Sequence, residues 1–379
     1  MDFKPQYMEP GYQGPYAGID VQTPEILLGP NATPNSLNFQ FRNKELRTCP
    51  RIKNVIPHPA NSSAFRGLTT FLDGNNVVHT CGITANSLFQ LVFREGVTSG
   101  NQWDWNKVGD FISNGLDTQY AVQIFLNKVY WTTGLPGVWY WDGMTNSVSE
   151  ATGPSPTAPK YGGYFLGELG FHLIILNTVE VVGVDNVAFP QRVRWSANGL
   201  PLVWNPASNP AAGTNDMYDV PDAITGFMAI GPKGYIFRVN GITQMSFTGR
   251  ASNPFIFDHM WASDRGIGNA YSQTIANYGP VGIFISTEDI YKITPGNLDA
   301  IGGGARDKII CDLAGATGPI LSTIIPGYHR KYIYVTYQLV IPSGNNCILW
   351  TFSLEDNNWA RRVIELGIPS TKMRICSVK

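Results

Sequence analysis

Tyr120-Ala121-Val122-Gln123-Ile124-Phe125, then Asn127-Lys128, then Val129-Tyr130-Trp131, a loop at 134–137, and Val138-Trp139-Tyr140-Trp141 closed by Asp142-Gly143: this stretch decides the fold. β-branched and aromatic residues fill three short runs, and each run is bounded by residues that tolerate turn geometry. Asp-Gly is a strong hairpin signal because both central positions of a type I′ turn need positive φ. The reading is three antiparallel strands in sequence, with a fourth strand to follow.

The same plan recurs along the chain. First strands fall near Thr69, Val122, Leu166, Gly226, Thr274 and Thr323, at intervals of about fifty residues. Second strands near Val78, Val129, Ile174, Tyr235, Ile283 and Ile333 keep that interval, as do third strands near Phe89, Tyr140, Arg194, Met245, Tyr291 and Trp350. Trp103, Trp204 and Trp359 are expected on fourth strands, with Phe257 in the same position of its unit. Four antiparallel strands per repeat of this length describe a propeller blade. The fold class is therefore all-β: a single β-propeller of about six four-stranded blades, residues 61–379, preceded by an extended N-terminal arm and strand pair, residues 1–60. Counting on from Thr323 places one more first strand at 372–378, whose alternation fits. Joined to the strand pair expected at 36–42 and 46–52, it would make a composite seventh blade, so six and seven blades both remain open.

Composition bounds the class. The chain has 379 residues with 43% hydrophobic and only 15% charged residues, below the usual quarter, and its 40 Gly and 26 Pro fit a turn-rich β protein. A formal net charge of −1 gives no overall footprint for nucleic acid. Arg361, Arg362 and Lys372 are expected on a solvated edge. The five cysteines (Cys49, Cys81, Cys311, Cys347, Cys376) have neither zinc nor disulfide spacing and read as small core residues. No secretion signal opens the chain and no apolar run is long enough for a membrane span, so no membrane anchor is expected.

Residues 1–18 hold Pro5, Pro10 and Pro15 among aromatic residues, which favours extended backbone over helix. With little apolar patterning of its own, this arm is expected to order against a partner. Phe3, Tyr7, Tyr12, Tyr16, Ile19, Leu27 and Leu28 are the candidate partner-interface residues.

Chemistry is sparse. No nucleophile elbow, phosphate loop, dinucleotide fingerprint or zinc-protease motif occurs. Gly302-Gly303-Gly304-Ala305-Arg306 lacks the Lys-Ser/Thr of a phosphate loop and reads as an inter-blade loop. The five histidines lie in different units and read as isolated polar residues. A glycosidase would need paired acids. Asp117, Glu168, Asp222, Asp264, Glu288 and Asp289 are the candidates, and only Glu168 falls inside an inner strand. No catalytic, metal-binding or cofactor-binding residues are expected.

One segment carries a resemblance. Gly18-Ile19-Asp20, Leu27-Leu28-Gly29-Pro30, Pro34-Asn35-Ser36-Leu37-Asn38-Phe39 and Leu46-Arg47-Thr48-Cys49-Pro50 together look like the opening of tailed-bacteriophage β-propeller structural proteins of the tail nozzle, tail hub and neck-stabilising type. Ala17 stands where that class has its first Gly, and Arg51 where Gly follows the Pro. The resemblance implies a non-enzymatic virion component, assembled in the host cytoplasm into a tail or neck ring around the DNA channel. It further implies a ring-forming homo-oligomer docked on other tail, neck or connector proteins, past which double-stranded DNA moves without specific recognition. The alternative from the residues is a carbohydrate-binding or glycoside-cleaving propeller in host recognition, for which Trp139, Trp141 and Trp261 are the exposed-aromatic candidates.

Overall fold

A computed structural model describes residues 65–365 apart from 96–102, 114–118, 153–159, 261–264, 330–331 and a few single positions. Of the preceding part it describes Pro59, Ser63 and the backbone of four short strands between residues 18 and 48.

Six four-stranded antiparallel blades form a ring, each a simple meander in chain order. Blade one is Gly67–Leu72, Val78–Ile83, Ser87–Phe93 and Trp103–Asp110; blade two is Ala121–Phe125, Lys128–Thr132, Val138–Trp141 and Ser149–Glu150. Blade three is Tyr161–Leu169, His172–Val182, Asp185–Trp195 and Gly213–Asp216; blade four is Ile224–Ile230, Lys233–Arg238, Ile242–Phe247 and Phe255–His259. Blade five is Ala276–Tyr278, Val281–Ile285, Ile290–Thr294 and Asn297–Ala300; blade six is Leu321–His329, Tyr332–Ser343, Asn346–Ser353 and Asn358–Glu365. The expected strand centres fall on these strands, except that Thr274 precedes the first strand of blade five by two residues. The N-terminal strand pair is Phe39–Arg42 with Glu45–Thr48, antiparallel.

Alternation puts one face of each blade against its neighbour. Between blades one and two the packed residues include Phe71, Ile83, Val129, Trp131 and Trp141. Burying a side chain the size of Trp131, which is fully enclosed, contributes about 4–6 kcal/mol by area. Uncharged side chains pin blade to blade. Asn127 Nδ2 donates to Asp73 O at 3.0 Å, Asn177 Nδ2 to Ile224 O at 3.0 Å, Asn277 Nδ2 to Ala229 O at 2.9 Å, and Thr132 Oγ1 to Gly163 O at 2.7 Å. This use of Asn and Thr is one reason so few charges are needed.

Four expectations are corrected. Trp204 is not on a fourth strand; it lies in the long loop after Trp195, donates to Pro201 O at 2.7 Å, and plugs the junction of blades two and three beside Phe125 and Leu173. The glycine run at 302–304 does not lead into a loop. It enters a 3₁₀ turn, Gly303–Ala305, and a helix, Arg306–Ala314, whose Ile309 and Leu313 pack into the junction of blades five and six. Arg361 is not a solvated edge residue: it donates to Asp312 through Nε at 2.9 Å. Of the cysteines, Cys81 and Cys347 are core residues as expected, whereas Cys311 is exposed on the helix.

Candidate assembly face

Each blade turns at one end between its first and second strands and between its third and fourth. Neighbouring blades bring these turns together. Asn75, in the first turn of blade one, donates through Nδ2 to Met144 Sδ of blade two at 3.3 Å. Gly170, in the first turn of blade three, lies under the ring of Phe247 of blade four, so that a Cβ there would overlap it. Among the described residues most of the large exposed apolar side chains sit on this end, including Val77, Val78, Leu126, Met144, Phe171 and Leu202; Ile112, Val182, Val184 and Tyr218 are at the other.

Two of them occupy positions that chain geometry disfavours. Leu126 has φ +45° and Phe171 φ +61°, each in a two-residue hairpin (Leu126-Asn127, Gly170-Phe171) whose second member of the pair is also left-handed. Such turns select Asn and Gly. A bulky residue there costs about 1–2 kcal/mol, yet Leu126 is 46% and Phe171 63% exposed, so burial returns little. Strain held at an exposed apolar site points to a role outside the fold's own stability.

Buried polar groups hold these turns rigid. Asp73 Oδ1 accepts the backbone N–H groups of Val77 and Asn75, both at 2.8 Å, and Oδ2 accepts from His79 Nε2 at 3.1 Å. The first of these contacts leads in holding the Asp73 carboxyl below its usual range. His79 Nδ1 then accepts from Gln90 Nε2 at 2.9 Å, and the imidazole stands edge-on to Trp141, 5.2 Å between centroids. In blade three, His172 Nδ1 donates to Ser196 O at 2.7 Å and Nε2 accepts from Asn198 Nδ2 at 3.3 Å; Asn198 also donates to Gly170 O at 3.0 Å, next to Phe171. Burial pushes His172 below the usual histidine range, which keeps it neutral in that role. Both histidines are thus turn braces, which spacing in sequence does not reveal.

The candidate acids are not brought together. Glu168 lies near the first turn of blade three, its pKa raised by burial, with Gln123 Nε2 at 3.5 Å as its neighbour. Asp222 and Asp289 belong to the opposite end. Asp222 accepts from Asn240 N and Nδ2, and Asp289 from the backbone of Ile290 and Gly302. Asp117, Asp264 and Trp261 lie outside the described residues. Trp139 and Trp141 both turn into the junction of blades one and two rather than outward. Among the described residues no group of three or more His, Cys, Asp or Glu could hold a metal ion. The candidate arm residues Phe3, Tyr7, Tyr12, Tyr16, Leu27 and Leu28 lie outside the described residues, and only the backbone of Ile19 is described.

Three arginines are spent internally. Arg192 grips Asp216 with Nε and Nη2 at 2.6 and 2.7 Å, Arg194 grips Glu180 at 3.1 and 3.0 Å, and the guanidinium of Arg194 stacks 3.9 Å from the Tyr161 ring. Arg238, fully buried, pairs with Asp219 at 2.9 Å. Such groups add no positive potential for a phosphate backbone.

A shallow cleft of about 500 Å³ opens between the outer parts of blades three and four. Trp195, Phe255 and Phe257 line it together with Thr214, Asn215 and Asn253, and no charged side chain does.

No protein family matches the chain, and no curated protein does. Among solved structures it is similar to YjhT at 12% identity, covering 81% of this chain and 99% of that one, TM-score 0.43. It is similar to the extracellular domain of the one-component system BT4673 from B. thetaiotaomicron at 10% identity, covering 83% and 40%, TM-score 0.45. It is also similar to Chaetomium thermophilum Raptor at 9% identity, covering 79% of this chain but about a quarter of that one (24%), TM-score 0.39. Likenesses this distant carry no functional argument. Among the described residues no helix is long and apolar enough to cross a membrane.

Proposed function

We propose that the chain is a non-enzymatic structural component of a tailed-phage virion, set in the tail or neck as a ring around the DNA channel. Its observation is the apolar end of the disc, where Leu126 and Phe171 stay exposed at strained hairpin positions. A protein needing only to fold would place Asn or Gly there. Apolar side chains held out on rigid turns suit a permanent neighbour, since obligate interfaces are the more hydrophobic kind. The resemblance carried by residues 18–50 supplies the particle, and the arm with Phe3, Tyr7, Tyr12 and Tyr16 supplies a second grip on other tail, neck or connector proteins or on a further copy. Internally paired arginines and a net charge of −1 fit a wall that lets DNA slide past. The test is imaging of purified particles carrying a labelled copy of this chain. Density for it on the tail or neck axis is expected; its absence from particles sinks the reading.

The uncharged cleft at Trp195 favours a second reading, a carbohydrate-binding propeller in host recognition. Aromatic faces beside amide and hydroxyl groups suit a neutral sugar, whereas a glycosidase would need the acid pair that Glu168 does not have. A glycan-array screen of the purified chain separates the two readings: specific sugar binding by a monomer favours the second.

A further inference from the structure

A buried tryptophan ordinarily finds a partner for its indole N–H. Trp141 donates to Thr145 O at 2.6 Å, Trp204 to Pro201 O at 2.7 Å, Trp350 to Asp312 Oδ2 at 2.9 Å and Trp359 to Ile301 O at 2.6 Å. Trp195 is comparably buried, at 6% exposure, yet its Nε1 has no partner among the described residues. Trp131 shares that lack, but its ring is fully enclosed in the junction of blades one and two. Trp195 instead lines the cleft of about 500 Å³ between blades three and four. It ends the third strand of blade three and pairs with Gly213, the first residue of the fourth. A Cβ on Gly213 would stand 2.6 Å from Cζ2 of the indole and 3.1 Å from Nε1. Gly213 lines the cleft as well, so glycine at this position keeps the N–H edge of the ring free of a side chain on that side.

The rest of the wall supplies polar groups without charge. The side-chain amides of Asn215 and Asn253 and the hydroxyl of Ser252 make no hydrogen bond among the described residues. The loops that carry the wall are preset by their own turns. Asn205 Oδ1 accepts from Ala207 N and Asn209 Oδ1 from Ala211 N, each at 3.0 Å, and Thr248 Oγ1 donates to Asn253 O at 2.6 Å. A preset wall loses little freedom when a ligand arrives. The volume is that of a small-ligand site. No charged side chain lines it, so a carboxylate or phosphate would find no counter-charge. A buried N–H donor calls for a strong uncharged acceptor, and an amide carbonyl is one. Free amides suit ring hydroxyls, and the half-buried Phe257 offers contact to a methyl group. We propose that the cleft binds a 2-acetamido sugar, its acetamido carbonyl accepting from Trp195 Nε1, its methyl group against Phe257 and its hydroxyls on Asn215 and Asn253. The proposal rests on the carbohydrate reading of this cleft and names the sugar class within it.

The test titrates the purified full-length chain with N-acetylglucosamine, N-acetylgalactosamine, glucose and galactose, read by calorimetry. At least one acetamido sugar should bind about tenfold or more tighter than its parent hexose, because the hexose leaves a buried donor unpaired. Trp195→Phe keeps an aromatic ring, removes the N–H and should abolish that preference. Asn253→Ala, at an exposed position, should weaken both kinds of sugar alike. Equal affinity for an acetamido sugar and its parent hexose overturns the proposal and leaves the carbohydrate reading standing; binding of no sugar at all removes both. A preference that survives in folded Trp195→Phe overturns it, as does N-acetylalanine amide competing as well as the sugars, which would make the cleft a peptide site. If Trp195→Phe does not fold, the preference of the unaltered chain and its uniform loss in Asn253→Ala decide. None of these outcomes depends on a virion, so the virion reading stands or falls separately.

Discussion

Asp312 and Trp350 meet across the junction of the helix and blade six: Trp350 Nε1 donates to Asp312 Oδ2 at 2.9 Å, and both residues are buried. The same carboxylate accepts from Arg361 Nε at 2.9 Å and Nη2 at 3.3 Å. One acid thus satisfies an indole and a guanidinium, and fastens the one helix among the described residues to the outer sheet of its blade.

Asp312→Ala should therefore be costly. It strands the Trp350 N–H and leaves Arg361 without its partner, and truncating one side of such a buried pair costs about 3–5 kcal/mol. Urea unfolding should show a fall of that order. A loss under 1 kcal/mol would mean that the helix is only loosely held.

Close packing of backbones makes a second position intolerant. An added Cβ at Gly162 would overlap the Leu135 carbonyl of blade two. Backbone cannot swing aside as a flexible side chain can, so Gly162→Ala should destabilise by about 1–3 kcal/mol. Gly231, with open space around its Cβ position but φ +59°, is the contrasting case. Gly231→Ala should cost only the left-handed backbone term, about 1 kcal/mol. Thermal unfolding of the two variants should rank them in that order.

Stability should fall on mild acidification. His172 is held below its ordinary value, chiefly by burial. The unfolded chain then binds a proton that the native state refuses. Its contribution is complete above the unfolded value of about 6.5 and is lost as pH falls from there toward the lowered native value. Denaturant midpoints at pH 7.5 and 5.5 should differ in that direction, and by less in His172→Asn. Equal shifts in parent and variant would remove His172 from the account.

Leu126→Asn and Phe171→Asn separate folding from assembly. Asn is at ease at positive φ, so melting temperature should hold or rise, while incorporation into particles falls. Variants that lose stability, or that incorporate normally, would contradict a docking role for these turns.

The fold was legible because period-two runs of Val, Ile, Tyr and Trp, separated by turn residues such as Asn127-Lys128 and Asp142-Gly143, recur at nearly one interval. What escaped depends on partners distant in sequence. Trp204 looked like a fourth-strand residue, but a long loop folds it back onto Phe125 and Leu173. The helix at 306–314 escaped because Gly302 to Gly304 signals a turn and its apolar side is narrow; a buried Asp312 needs Trp350 and Arg361, 38 and 49 residues on, to make sense. The apolar end of the disc was hidden too. Leu126 and Phe171 read as ordinary hydrophobic residues until φ angles and exposure set them apart.

Cross-linking mass spectrometry on purified particles tests the central claim most directly. Lys128, two residues from Leu126 in the hairpin of blade two, is the reporter on the apolar end. The account predicts that the chain is present in particles and that Lys128 cross-links to a neighbouring tail, neck or connector protein or to another copy. Absence of the chain from particles, or a Lys128 that reacts freely with solvent reagents in assembled virions, would contradict it.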